Sequence, residues 1–338
     1  MRSLRFIVQL AAASVIGLSL LPLAARAWWG FELTANFRLQ YVVAGFVLLV
    51  LLALLRRPLW CAALAGSIVF SAWPLAAYPP IPGLGATRAA AAATARAAAS
   101  PAALTIATAN LFFRNSQVAR LVPILRAASP DLVVLEEFTP AAQAELQELR
   151  AAYPYRVEAP DDTPYGIALL SRCALGSART FPLGTTRAIE AQVTGPGGRF
   201  TIVGVHLRSP TSRESAAERN RELTMLAALR AEIRGPLVVI GDFNTTPFSP
   251  FFTDWLAASK LRDARRGVSY TATWPSFLPI LRIPIDHCFV SHQFRLTALW
   301  RLEGFGSDHF PLLVRLELDA DEPASSTAKD HSPALERP

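Results

Sequence analysis

The sequence predicts an α/β domain tethered by about three transmembrane helices. Short β-branched runs recur between residues 103 and 318, helical patterns separate several of them, and three uncharged apolar segments of bilayer-spanning length come first.

The anchor is predicted from composition and charge. At 52% hydrophobic and 17% charged, the chain is more apolar than an ordinary soluble domain. The excess lies in residues 1–80, as "FIVQLAAASVIGLSLLPLA" from Phe6, "LQYVVAGFVLLVLLALL" from Leu39 and "PLWCAALAGSIVFSAWPLAAY" from Pro58. The first segment also has the flanks of a signal peptide, Arg2 and Arg5 ahead and "LAARA" behind. Arg2, Arg5, Arg56 and Arg57 mark the cytoplasmic side, although Arg26 and Arg38, offset by Glu32, dilute the asymmetry. The expected product is a multi-pass protein of the cytoplasmic (inner) membrane whose main domain faces the extracytoplasmic side. Cleavage of the first segment would leave the exit side unchanged.

Charge by region limits the partners. Residues 1–100 carry +7, residues 101–318 carry +3 and the tail carries −3, out of a net +7. The basic excess serves topology, and the domain lacks the strong positive field of a dedicated nucleic-acid binder. The three cysteines form neither a disulfide framework nor a zinc motif, so Cys173 and Cys288 are expected as small buried residues. A lipid bilayer is an expected partner, with no obligate protein partner evident.

Residues 81–102 are rich in Pro, Gly and Ala and read as a linker, and 319–338 as a polar, disordered tail. In the domain between them, 103–318, "ALTIATANL", "DLVVLEEF", "YGIALLS", "RFTIVGVHL", "PLVVIGDF", "PIDHCFV" and "PLLVRLEL" are expected strands. Helices are expected at about 116–128, 140–151 and 213–233.

Polar residues collect where apolar runs stop: Asn110, Glu136, Glu137, His206, Asp242, Asn244, Asp286, His287, Ser307, Asp308 and His309. In "IGDFNTTP", alternation sends Asp242 and Asn244 to one face and Phe243 to the other. Singly, such residues terminate strands and start turns. Together they supply hard oxygen ligands and imidazoles without a thiolate set or an HExxH pair, which suits Mg²⁺, Mn²⁺ or Ca²⁺ better than structural zinc, with a magnesium-type ion, Mg²⁺ or Mn²⁺, expected. Such an ion commonly acts with phosphate, so phosphoester hydrolysis is the expected chemistry. Ser307 lacks the Gly-x-Ser-x-Gly setting of common serine hydrolases.

The ordered series "TAN", "DLVVLEEFTP", "VGVHLRSP", "VVIGDFNTTPFS", "RIPIDHCFV" and "GSDHFPLLVRL" resembles the endonuclease/exonuclease/phosphatase (DNase I-like) superfamily over residues 103–318. That resemblance implies a four-layer α/β sandwich, two packed and mainly antiparallel sheets flanked by helices. It implies Glu137 as principal metal ligand, with Glu136 as the alternative, and Asn110 and Asp308 beside the metal. Asp242 would activate water, and Asn244 would hold a phosphate oxygen. His309, steered by Asp286, and His206 would contact the phosphate. His287 points away and is expected to be structural. The sequence departs from the pattern in "TPYGIALLSR", which lacks the acid that would orient His206.

The three apolar segments make the chain similar to the membrane-bound bacterial branch associated with glycopeptide resistance (VanJ-like). The implied substrate is a phosphate or pyrophosphate on a lipid or lipid-linked headgroup at the outer membrane face. Trp274, Phe277 and Leu278 of "TATWPSFLPILRIP" are candidates for an apolar lip, with Arg282 available to phosphate. The alternatives are an extracytoplasmic Mg-dependent nuclease, which would need a basic groove, and an inactive sensor or scaffold.

Overall fold

The computed structural model describes residues 2–79 and 103–318; the expected linker over 81–102 and tail over 319–338 lie outside the described residues. The N-terminal part folds as α1 (Arg2–Leu20), a short α2 (Trp29–Thr34), α3 (Arg38–Leu54) and α4 (Pro58–Leu75). Three of its helical stretches are long and apolar enough to cross a membrane. Small residues let these helices approach. A Cβ on Gly45 would lie 2.6 Å from Ile68, and the hydroxyls of Ser19 and Ser67 hydrogen bond at 2.7 Å. Phe46, Val50, Leu59 and Trp73 stay exposed on the outside of this bundle, an apolar surface far larger than a soluble domain leaves open.

The domain strands are β1 (Ala103–Asn110), β2 (Leu132–Glu136), β3 (Tyr155–Ala159), β4 (Ile167–Ser171), β5 (Ala174–Leu183) and β6 (Thr186–Gly195). They continue as β7 (Gly198–His206), β8 (Leu237–Asp242), β9 (Arg262–Asp263), β10 (Asp286–Val290), β11 (Phe294–Arg301) and β12 (Leu312–Leu318). The domain helices are α5 (Leu121–Ala128), α6 (Pro140–Glu145), α7 (Arg213–Glu232) and α8 (Pro250–Ser259). Two six-stranded sheets result, ordered β11-β12-β1-β2-β4-β3 and β5-β6-β7-β8-β10-β9. Each has one parallel pair, β1/β2 and β7/β8, with a helix crossing between its members; the other neighbours are antiparallel. The two halves therefore share a topology that no repeat in the sequence announces.

Period-2 alternation builds the layers. Leu104, Ile106, Val134, Ile202, Val238 and Ile240 meet between the sheets, joined by buried Cys288, while Cys173 packs at the margin of that core. Both thiols are free. The opposite rows, such as Ala107 and Val133 in one sheet and Val205 and Val239 in the other, pack outward beneath helices. Sheets inside and helices outside give the four-layer sandwich.

Several elements differ from expectation. The first helical pattern begins with a 3₁₀ turn at Val118–Arg120, and the second ends at Glu145 before another at Gln147–Leu149. The third runs close to its expected bounds, fixed by a reciprocal capping box between Ser212 and Ser215. Strands β3, β5, β6, β9 and β11 have no counterpart among the seven expected runs; β5 is a largely exposed edge strand that tolerates Pro182 because its outer side needs no ladder bond.

Gly241 shapes the end of β8. Its φ is 145°, and a Cβ there would stand 1.9 Å from the carbonyl oxygen of Val205 on the paired strand. Only glycine lets β8 lie this close to β7 while Asp242 faces His206 in register. Gly241→Ala is expected to destabilise the domain by about 1–3 kcal/mol, read as a lower thermal unfolding midpoint of the full chain in detergent.

Candidate active site

The apolar rows between the sheets end in polar residues at one edge of the sandwich. Leu104 and Ile106 lead to Thr108 and Asn110, Leu132 and Val134 to Glu136, Val238 and Ile240 to Asp242. Register aligns Asn110 with Glu136 across β1/β2, and His206 and Asp286 each with Asp242 across the second sheet. Packing that brings the sheets together thus brings these ends together.

They open into a cleft of about 530 Å³ lined by Glu137, His206, Asp242, Asn244, Asp308 and His309, among others. A larger cleft of about 740 Å³, bordered by Leu256, Arg262 and Arg295, has Asp263 as its one acid and no imidazole among its lining residues. Acids and imidazoles concentrate in the smaller one.

Asp242 is the hub. It is 1% exposed, its Oδ1 accepts from the Asn244 backbone at 2.8 Å, and its Oδ2 accepts from Asn110 Nδ2 at 3.1 Å. The Nε2 atoms of His206 and His309 lie 3.6 and 3.7 Å from the same Oδ2. Burial pushes its pKa up to about 6, with His309 and His206 pulling against burial and Asp286 reinforcing it. His309 Nδ1 bonds the Asp286 carboxylate at 2.9 Å. Burial opposes charge on that imidazole, but Asp286 and Asp242 outweigh it and raise the pKa to about 10. His309 is therefore an imidazolium that can donate through Nε2.

His206 has no acid on Nδ1. That nitrogen meets the carbonyl oxygen of Pro164 at 3.0 Å, so it carries the proton and leaves Nε2 facing Asp242 and Asn244. The backbone of the "TPYGI" segment supplies the orienting partner that its side chains lack.

Glu137 and Glu136 separate clearly. Glu136 continues the inward row, takes the Thr108 hydroxyl at 2.5 Å and keeps Oε2 buried without a hydrogen-bond partner; burial holds its carboxyl well above the usual range. Glu137 sits past the strand end at φ 55° and turns into the cleft, where Oε1 accepts from Asn110 Nδ2 and Oε2 from the Phe113 backbone. Asn244, also at positive φ, donates Nδ2 to the Leu207 carbonyl at 2.9 Å. Asp308 accepts from Trp274 Nε1 at 3.0 Å, which makes Trp274 part of the cleft wall rather than of an outer lip.

Arg282 is not brought to this set. Its Nε and Nη2 donate to the carbonyls of Pro275 and Ser276, its guanidinium lies over Phe310, and it is absent from the cleft lining, because its loop turns it back to satisfy its own backbone. His287 is fully buried between Arg265 and the Thr245 carbonyl. Ser307 donates to the Asn110 carbonyl and accepts from the His309 backbone, so it ties a loop to β1. Phe243 packs in the outer core with Trp255 and Phe289.

The cleft lining also includes Tyr165, whose ring lies beside His206, and Trp29, Leu33 and Asn36 of the anchor. Tyr165 stands next to the Pro164 carbonyl that orients His206. The anchor residues had one signal, Glu32, the single acid in residues 1–100.

The donor set suits a hard cation. Asp242, Asp286 and His309 cluster with ligand atoms within 4.8 Å of one another, a possible metal site; with His309 protonated, the free donors are carboxylate oxygens, and Asn110 Nδ2 bridges Asp242 to Glu137 while its Oδ1 accepts from the Phe112 backbone. Asp286→Asn is expected to lower the His309 pKa by about 1 or more. The raised pKa stabilises the fold below about 6.5, and that contribution is lost as pH rises towards 10. The variant should show a lower imidazole midpoint by NMR titration and less of this alkaline loss.

The family model described as Endonuclease/Exonuclease/phosphatase family matches residues 107–309. No curated protein matches the chain. Among solved structures, the endonuclease/exonuclease/phosphatase from Beutenbergia cavernae DSM 12333 is 22% identical with a TM-score of 0.51, over 64% of this chain and 72% of that one. D. rerio TDP2 complexed with single strand DNA product is 19% identical with a TM-score of 0.54, over 64% and 99%. The endonuclease/exonuclease/phosphatase from Bacteroides vulgatus is 20% identical with a TM-score of 0.53, over 64% and 99%. At these identities the likeness is one of fold.

Proposed function

Since the chain belongs to the endonuclease/exonuclease/phosphatase family, we propose that it is a membrane-anchored, divalent-metal-dependent phosphoesterase acting on a phosphate or pyrophosphate of a lipid or lipid-linked headgroup, as in the VanJ-like branch. The carrying observation is the convergence of buried Asp242, Asp286 and His309 with Asn110, Glu137, His206 and Asn244 at one cleft. A Mg²⁺ or Mn²⁺ ion held by Glu137, with Asp308, would neutralise charge on the phosphate oxygens; Asn110, expected beside the metal as a ligand, instead positions the acids, since its Nδ2 donates to Glu137 and Asp242 and its Oδ1 is taken by the Phe112 backbone. Asp242 takes a proton from the attacking water. His309 hands its Nε2 proton to the leaving oxygen as the phosphorus–oxygen bond breaks, and Asp286 holds the ring for that transfer. His206 Nε2, with Nδ1 locked on Pro164, and Asn244 contact the phosphate.

The lipid part of the proposal is supported by where the cleft lies. Phe277 and Ile280 are 74% and 73% exposed, and their loop is tied to the first turn of α3 by a 3.1 Å bond from Gln40 Nε2 to the Arg282 carbonyl. An apolar lip beside a membrane-length helix suits contact with lipid. The domain meets the bundle at the end opposite Arg56 and Arg57, where α1 and α4 finish and α3 begins. With those arginines inside, the domain faces the extracytoplasmic side.

The full chain in detergent with Mg²⁺ should release phosphate from polyprenyl pyrophosphate, lose this activity to a chelator and regain it with Mg²⁺. Asp242→Ala and His309→Ala should each lower kcat by about 10²–10⁴-fold. Rapid cutting of plasmid or RNA without phosphate release from lipid would favour the nuclease alternative; rates unaffected by either substitution would favour a scaffold. A reporter fused after Leu318 should be active only outside the cytoplasm, and activity confined to the cytoplasm would reverse the orientation.

A further inference from the structure

We propose that the loop between the first two apolar helices, residues 25–37, is a working wall of the catalytic cleft. Its Trp29 and Leu33 select phosphoesters carried on a long hydrocarbon chain. This deepens the lipid-linked proposal and rests on it, assigning chain selection to residues outside the catalytic domain.

The loop is built into the cleft. Trp29, Leu33 and Asn36 line the same space as Asp242 and His309. On α2, Trp29 and Leu33 are four residues apart and share a face, which they present to the cleft. Glu32 serves another face. It is 3% exposed, and its two carboxylate oxygens take Arg219 Nη2 at 2.5 and 2.7 Å and the Ser249 hydroxyl at 2.6 Å. Arg219 is itself 1% exposed and donates Nη1 to the carbonyl of Asn244. Asn36 Oδ1 accepts from the Thr246 hydroxyl. The contacts that dock the anchor loop therefore also hold the turn carrying Asn244.

This contact is not a casual touch between an anchor and its cargo. Burying an isolated carboxylate or guanidinium is costly, and the pair is tolerated only in one geometry. That geometry sets the apolar side chains of Trp29 and Leu33 across from a floor of carboxylates and imidazoles. The polar floor suits phosphate, and the apolar wall suits the carbon chain next to it. α2 leads through a 3₁₀ turn, Ala35–Phe37, into α3, whose Val43, Phe46, Val47 and Val50 are exposed. A chain leaving the phosphate along this wall is led towards the bilayer. A short-chain ester would gain nothing from it.

The test uses the full chain in phospholipid nanodiscs with Mg²⁺ and substrate pairs differing in chain length: farnesyl against isopentenyl pyrophosphate, and hexadecyl against methyl p-nitrophenyl phosphate. The readout is the ratio of kcat/KM, long over short. Wild type is expected to prefer the long chain, and Trp29→Ser with Leu33→Ser should lower the ratio about tenfold or more, mainly through KM of the long-chain substrate. Trp29→Phe, which keeps an apolar ring at the wall, should retain most of the preference. Partition into the bilayer is common to all variants, and general damage lowers both rates together, so only a change at the wall moves the ratio. A long-chain preference that survives the double substitution overturns the wall alone. A wild-type ratio near one, or no hydrolysis of any substrate, overturns the lipid-linked proposal and the wall with it.

Discussion

Charge that is buried must be compensated, and this constraint organises the polar end of the sandwich. Asp242, Asp286 and Glu136 are all nearly inaccessible, and three adjacent carboxylates at the end of an apolar core would repel if each were ionised. Each is handled differently. Glu136 accepts one hydroxyl bond and has its ionised form disfavoured by burial. Asp286 takes an imidazolium. Asp242 keeps two imidazoles, a carboxamide and a backbone amide around it, the most contested position of the three. A divalent cation beside Asp242 would add the positive charge that this set invites, which is the physical reason for expecting a metal here.

The shared topology of the two sheets explains why the acids occur where they do. Strand for strand, Asn110 and Glu136 occupy in the first sheet the places that His206 and Asp242 occupy in the second. Chemistry then diverges in the turns at the strand ends. After β2 the chain turns at positive φ to aim Glu137 into the cleft, and after β8 a similar turn two residues later aims Asn244. One acid of each half stays in the sheet row and one cleft-lining side chain swings out of it.

Much of this was legible because period-2 alternation carries both kinds of information. The rows that pack the sheets end in the residues that form the cleft, so "ALTIATAN" and "PLVVIGDF" specify strand, face and site at once. Edge strands such as β5 escaped notice because one exposed side removes the apolar run that marks a strand. The partner of His206 was invisible because it is a backbone carbonyl, which no side-chain pattern encodes. Arg282 misled for the converse reason: a cation near a candidate lip looks available for phosphate, yet three carbonyl and ring contacts occupy it. The wall from α2 could not be read from periodicity, since nothing local says which distant surface a six-residue helix meets.

Glu32 nevertheless bears on how the anchor should be understood. A carboxylate within an apolar segment is expensive in lipid and equally expensive in a dry protein interface without a partner. Its position against Arg219 and Ser249 means that the second membrane-length stretch begins packed on the domain, and that the part of it long and apolar enough to cross a membrane lies beyond Arg38. Arg26 and Arg38, which weaken the charge asymmetry of the loops, are likewise engaged by protein: Arg26 by Asp254 and Arg38 by the Phe70 carbonyl and ring. Once these paired charges are set aside, the arginines at Arg2, Arg5, Arg56 and Arg57 stand at the end of the bundle away from the domain. The same contacts that complete the cleft therefore also sharpen the topological signal.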